Sequence, residues 1–144
     1  MQQLHSINFF AECRLLESKI NADERGSFER LYCDSELINI LEGRPIKQIS
    51  ISRNPHAGTF RGLHYNKIDT PVYKIVSCIK GKVWDIILDI RPESPTYQMW
   101  KSIELEEKDN KSLLIPPGFA HGFQTLKKKL KSSVFSHREL QTIK

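Results

Sequence analysis

The stretch VYKIVSCIKGKVWDIILDI, residues 72–90, carries the reading of the fold. Apolar and β-branched residues flank a lysine-glycine break, which predicts two strands, Val72 to Ile79 and Lys82 to Ile90, with a turn at Lys80-Gly81. In the second strand Trp84, Ile86, Leu88 and Ile90 form one wholly apolar face. Val83, Asp85, Ile87 and Asp89 form the other, mixing apolar residues with carboxylates. On a solvent-facing sheet such acids need no explanation. In a small barrel both faces are covered, and acids turned into the interior then need partners.

Working outward, the same short-segment pattern continues. Ile46 to Arg53 reads as a strand in which Ile46, Gln48, Ser50 and Ser52 point one way and Lys47, Ile49, Ile51 and Arg53 the other. Asn54-Pro55 and Gly58 mark a turn, and Thr59 to Tyr65 follows as a strand. Strict alternation there puts Arg61, Leu63 and Tyr65 on one face and Gly62 and His64 on the opposite one. Tyr97 to Leu105, Ser112 to Ile115 and Ala120 to Leu126 read as further strands, with Pro116-Pro117-Gly118 as a turn. Helix signals are few. One short helix is predicted from Cys33 to Leu41, capped by Asp34 or Ser35 and stopped by Gly43. About seven short strands at this spacing predict an all-β barrel or jelly roll.

The 144 residues suit one domain. A charged fraction of 27% and an apolar fraction of 39% fit a globular chain and exclude wholesale disorder. The apolar runs are all too short to cross a bilayer as a helix. Met1 to Phe10 lacks the pattern of a secretory signal, and Cys13, Cys33 and Cys78 are an odd set with no CxxC pair, so a reducing cytoplasm is expected and a disulfide scaffold is not. The net charge of +5 has one source: residues 127–144 hold six Lys or Arg against Glu139, whereas the preceding 126 residues are balanced. A neutral body with a short basic run reads as a barrel domain, 1–126, followed by a solvated basic tail, 127–144, rather than as a nucleic-acid surface.

Two histidines stand beside glycines in strand-like segments: His64 in Arg61-Gly62-Leu63-His64-Tyr65, and His121 in Ala120-His121-Gly122-Phe123. A lone histidine in such a place is most simply a hydrogen-bonded structural residue. Two of them, with Arg61 and Lys74 close by in the strand pattern, point to a polar pocket. The spacings Gly58-x5-His64 and Pro116-x-Gly118-xx-His121 resemble the two motifs of the cupin superfamily. Residue 66 is Asn66 where metal-binding cupins carry a second histidine, and the following glutamate is absent, so no metal site is expected.

Four longer motifs occur in order: Asp23-Glu24-Arg25-Gly26-Ser27-Phe28, Gly58 to Tyr65, Asp89 to Tyr97, and Ile115 to Phe123. Together they resemble the dTDP-4-dehydrorhamnose 3,5-epimerase family over about residues 15–126. The resemblance implies a cupin-type jelly-roll β-barrel with one or two short helices. It also implies proton removal and return at C3 and C5 of a dTDP-4-keto-6-deoxy sugar, in the synthesis of surface polysaccharide, with no cofactor. It assigns the base to His64, enolate stabilisation to Lys74 and Arg61, and pocket lining to His121. Substrate binding falls to Gln48, Arg25 and Phe28, the last two reaching a neighbouring subunit's site in a homodimer that exchanges N-terminal strands. After Leu126 the resemblance stops. The family's tyrosine acid falls, ungapped, on Val134, no aspartate follows Asp109, and the C-terminal part of the family fold is expected to be missing. A keto-sugar ketoisomerase and a non-catalytic cupin binding or dimerisation module stay open as alternatives. The chemistry rests on one geometric expectation: the His64 ring projects into a barrel cavity beside Arg61 and Lys74.

Overall fold

A computed structural model of the chain describes residues 2–66, 71–126, 130–136 and 141–142, the last two segments by their backbone course. The described residues form thirteen strands and one short helix. They are β1 (Leu4–Phe10), β2 (Cys13–Ser18), β3 (Asn21–Asp23), β4 (Gly26–Phe28), α1 (Asp34–Leu37), β5 (Gln48–Asn54) and β6 (Phe60–Tyr65). Then come β7 (Lys74–Lys80), β8 (Lys82–Asp89), β9 (Trp100–Glu106), β10 (Lys111–Ile115), β11 (Phe119–Thr125), β12 (Leu130–Ser136) and β13 (Gln141–Thr142). One sheet runs β1-β2-β10-β7-β12-β5 and the other β13-β6-β11-β8-β9, with β3 and β4 as a separate hairpin. Two sheets face to face give the jelly-roll architecture expected from the sequence.

Alternation decides what lies between the sheets. On β7, Val76 and Cys78 join Leu113, Ile115, Val83, Ile87, Phe119 and Phe123 in the main core. Ile75 points the other way, into a second core with Leu4, Leu16, Leu37, Leu41 and Leu114. Helix α1 is a single turn, shorter than predicted, and its job is to drop Leu37 and the following Leu41, each 1% exposed, onto the outer face of the large sheet. Full burial of such a leucine contributes roughly 1.5–3 kcal/mol. Period two therefore places Lys74 on the same inward face as Val76 and Cys78, in the barrel.

The expected faces of β8 sort in an instructive way. The mixed face is the interior: Val83, Asp85, Ile87 and Asp89 are 0–1% exposed, and the wholly apolar face is half-buried. Both acids have partners, as burial demands. Asp89 accepts from the Arg91 guanidinium at 2.8 and 2.9 Å and from the hydroxyls of Ser94 and Thr96, each at 2.6 Å. These bonds hold its carboxyl well below the ordinary range despite burial. The Asp89-to-Thr96 motif is thus a structural staple.

Three sequence expectations need correction. Strands β1 and β2 have no bounds in the periodicity reading, because their polar and apolar residues do not alternate cleanly. The pair is instead held by a register from Leu4 opposite Ser18 to Phe10 opposite Cys13, with a bulge. Alternation along β6 also fails. Its register with β11 pairs His64 with His121 but Arg61 with Phe123, so β6 holds one extra residue between the two pairs. That bulge turns Arg61 and His64 toward the same side. Last, the backbone of Leu130–Ser136, within the segment set apart as a tail, runs as β12 between β5 and β7, with Val134 opposite both Ser50 and Val76. Three serines and a lysine among its seven residues weaken the strand signal of this segment; hydrogen bonding to two neighbouring strands supplies it.

Candidate active site

Strands β6 and β11 approach unusually closely where they carry the two histidines. A Cβ at Gly62 would lie 2.7 Å from the Gly122 Cα, and one at Gly122 would lie 2.8 Å from the Arg61 carbonyl oxygen. Only glycine permits this contact, which explains why both histidines are flanked by it. Paired across the strands, the imidazoles of His64 and His121 share one face of the small sheet.

A cavity of about 350 Å3 opens over that face. Arg61, His64, His121 and Phe123 line it from the small sheet, and Lys74 with Ser50 to Arg53 line it from the large one. The geometric expectation is met: His64 and the cations Arg61 and Lys74 meet in one barrel cavity. No aspartate or glutamate lines it among the described residues. Each cation is held differently. Arg61 donates from Nε to the Asn54 Oδ1 at 2.7 Å, and Asn54, 1% exposed, fixes the guanidinium at the rim. Lys74 is 2% exposed, and its Nζ has no hydrogen-bond partner among the described residues. Burial alone pulls its pKa down to about 8. On its other side Lys74 borders a second, mainly apolar cavity of about 450 Å3 with Val72, Ile90, Ile115 and Phe119, whose lining also carries Arg91 and Glu93, neither of them hydrogen-bonded to the Lys74 amine.

His64 is half-buried, and its pKa lies below the ordinary imidazole value, first through burial and then through the positive charge of Lys74, His121 and Arg61. A neutral imidazole at physiological pH is the form able to accept a proton. His121 is tied down by a residue that sequence reasoning did not single out as functional. Its Nε2 lies 2.8 Å from the Oδ2 of Asp85, whose side chain is fully buried on β8. Burial pushes the Asp85 carboxyl up, opposed by the imidazole, and its Oδ1 has no partner among the described residues. The signal was present in the sequence as a carboxylate on the mixed face of β8; only the register placing Asp85 opposite Phe123 brings it under His121.

The other expected binding residues stand apart. Arg25 and Phe28 lie on the β3–β4 hairpin, and neither lines the cavity. Arg25 is bound to Asp23 of its own hairpin at 2.6 Å, and Phe28 is 68% exposed. Gln48 is exposed at the start of β5 and donates to the Ser50 hydroxyl at 3.4 Å, two residues from the cavity wall. Among the described residues there is no group of three His, Cys, Asp or Glu that could hold a metal ion. Among the described residues no helix is long and apolar enough to cross a membrane.

A neutral imidazole facing buried positive charge can take a proton from a carbon next to a carbonyl. The sequence model of the dTDP-4-dehydrorhamnose 3,5-epimerase family matches residues 9–139. The enzyme of that name from Salmonella typhimurium is 37% identical over 113 residues, 78% of this chain and 61% of the relative. That from Sinorhizobium fredii is 35% identical over 117 residues, 81% of this chain and 60% of the relative. The chain thus spans about 60% of the length of the curated relatives it matches. Among solved structures, the Bacillus anthracis dTDP-4-dehydrorhamnose 3,5-epimerase with TDP and pyrophosphate bound superposes with a TM-score of 0.88 at 31% identity, covering 94% of this chain and 78% of that one. A Legionella pneumophila 3,5-epimerase in complex with dTDP-4-keto-L-rhamnose gives 0.86 at 33% identity, covering 94% and 72%. From strand register to residue motifs, the chain belongs to the dTDP-4-dehydrorhamnose 3,5-epimerase family.

Proposed function

We propose that the protein is a cytoplasmic isomerase that epimerises C3 and C5 of a dTDP-4-keto-6-deoxyhexose. The observation that carries this reading is His64, a base poised below the ordinary imidazole pKa, in a cavity whose other ionisable lining groups are cationic or imidazole. The C4 ketone of such a sugar acidifies the hydrogens on both neighbouring carbons. His64 takes one of them, and negative charge moves to the ketone oxygen. Arg61, Lys74 and His121 surround the space where that charge grows, and fixed positive charge there stabilises it. The reaction class needs neither hydride transfer nor a metal.

The nucleotide end of the substrate lies toward Arg61, Ser50 and Gln48 in this reading. Arginine suits the diphosphate because its fork bonds two oxygens together. The exposed Arg25 and Phe28, remote from the cavity of their own subunit, support a homodimer in which the β3–β4 hairpin of one copy reaches the site of the other. Incubation of the purified protein with a dTDP-4-keto-6-deoxyhexose in heavy water tests the function. Deuterium is expected at C3 and C5, with inverted product, and His64→Ala abolishes both. Binding of dTDP with no exchange would instead identify a non-catalytic binding module, and a shift of the ketone to C3 would identify a ketoisomerase.

A further inference from the structure

The reactive side chains of the cavity come from opposite walls. His64 and His121 stand side by side on β6 and β11 of the small sheet. Lys74 begins β7 of the large sheet and lines the same cavity as both histidines. A sugar ring lying between the sheets therefore has imidazoles on one face and an amine on the other. Inversion of a carbon needs this arrangement, because the proton must leave one face and return to the other. A single base on the small sheet restores the original configuration.

The state of the two walls differs as well. His121 is bound to Asp85, whereas the Lys74 Nζ has no partner among the described residues and no carboxylate lines the cavity beside it.

We propose that Lys74 is the acid of a two-sided proton transfer, delivering a proton to the ring carbon on the face opposite the one from which His64 removes it. The inference rests on the epimerase reading and goes beyond it, since there Lys74 contributes only positive charge. In the first step the His64 imidazole bonds the departing proton, the C–H electron pair forms the C=C bond, and the carbonyl π pair moves to oxygen. In the second, the oxygen pair reforms the carbonyl, and the enolate carbon takes a proton from the Lys74 ammonium. His64 ends as imidazolium and Lys74 as a neutral amine. Water returns one proton from the first to the second, and nothing is oxidised or reduced. An amine with a pKa of about 8 suits this part, being mainly protonated at neutral pH yet able to release its proton.

Charge and acidity are separable by substitution. Arginine keeps a cation at position 74 but does not give up a proton in a protein. Wild type, Lys74→Arg and Lys74→Ala are incubated with the dTDP-4-keto-6-deoxyhexose in heavy water. NMR follows deuterium entering recovered substrate with retained configuration and, separately, the inverted product. The ratio of inversion to exchange is expected to fall at least tenfold in both variants, and added methylamine is expected to restore inversion in Lys74→Ala but not in His64→Ala. Equal loss of exchange and inversion in both variants, or loss of neither, overturns the inference while leaving the epimerase reading standing. A wild-type protein that neither exchanges nor inverts overturns that reading and this inference with it. Should Lys74→Arg fail to fold, Lys74→Ala with and without methylamine decides alone.

Discussion

Replacing Lys74 by methionine is expected to make the protein more stable. The side chain is 2% exposed, its amine has no hydrogen-bond partner among the described residues, and burial brings its pKa from 10.5 to about 8. At about 1.4 kcal/mol per pKa unit, that difference corresponds to roughly 3 kcal/mol. The sign follows from which state binds the proton more tightly. Above pH 10.5 the amine is neutral in both states, and the group costs nothing. As pH falls from 10.5 to 8 the unfolded chain takes up a proton that the folded one resists, so stability is lost across that window. Below it the full penalty applies. Methionine has nearly the same length and no charge. The Lys74→Met protein should therefore gain about 2–3 kcal/mol at pH 7, roughly a 10 °C rise in Tm, and under about 1 kcal/mol at pH 10. Urea unfolding of both proteins at the two pH values, followed by tryptophan fluorescence, measures the difference, in which all other titrations cancel. A variant no more stable than wild type at pH 7, or a gain that does not shrink by pH 10, refutes the reasoning.

Asp85→Ala removes the carboxylate under His121 and leaves a buried imidazole without its partner; a loss of about 1–3 kcal/mol is expected by thermal unfolding, with Asp85→Asn costing less. Gly122→Ala drives a methyl group to within 2.8 Å of the Arg61 carbonyl oxygen, so β6 and β11 must part. It should cost about 1–3 kcal/mol in chemical denaturation and shift the NMR signals of both histidines. The rate of proton removal should rise with pH through a pKa below the ordinary imidazole value of about 6.5, because burial and neighbouring cations keep His64 neutral to lower pH. A rate that instead climbs through pH 7–8 would show that these influences do not reach the ring.

The central strands were legible in the sequence because each depends on local alternation and local punctuation. Residues 72–90 appear as β7 and β8, with their turn at Gly81, almost as read. The glycine-flanked histidines announced a pocket for a similarly local reason: a strand gives up two side chains only where something must come close. Other features have non-local causes. The bulge that turns Arg61 to the side of His64 exists only in the pairing of β6 with β11. The carboxylate beneath His121 is 36 residues away in sequence and meets it through the β8–β11 register. The course of Leu130–Ser136 between β5 and β7 is likewise a property of its neighbours.

By itself the sequence determined the material: an all-β chain, balanced in charge up to residue 126, with two histidines and two cations in strand segments and the motifs of one enzyme family. What only the tertiary structure decided is who faces whom. Two sheets closing on each other put Lys74 opposite His64, bury its amine without a partner among the described residues, and keep Arg25 and Phe28 out of the lining of that cavity in their own subunit. Side-chain chemistry is written along the chain, but acidity and direction of proton transfer depend on burial and on the opposing wall, and neither exists before the barrel closes.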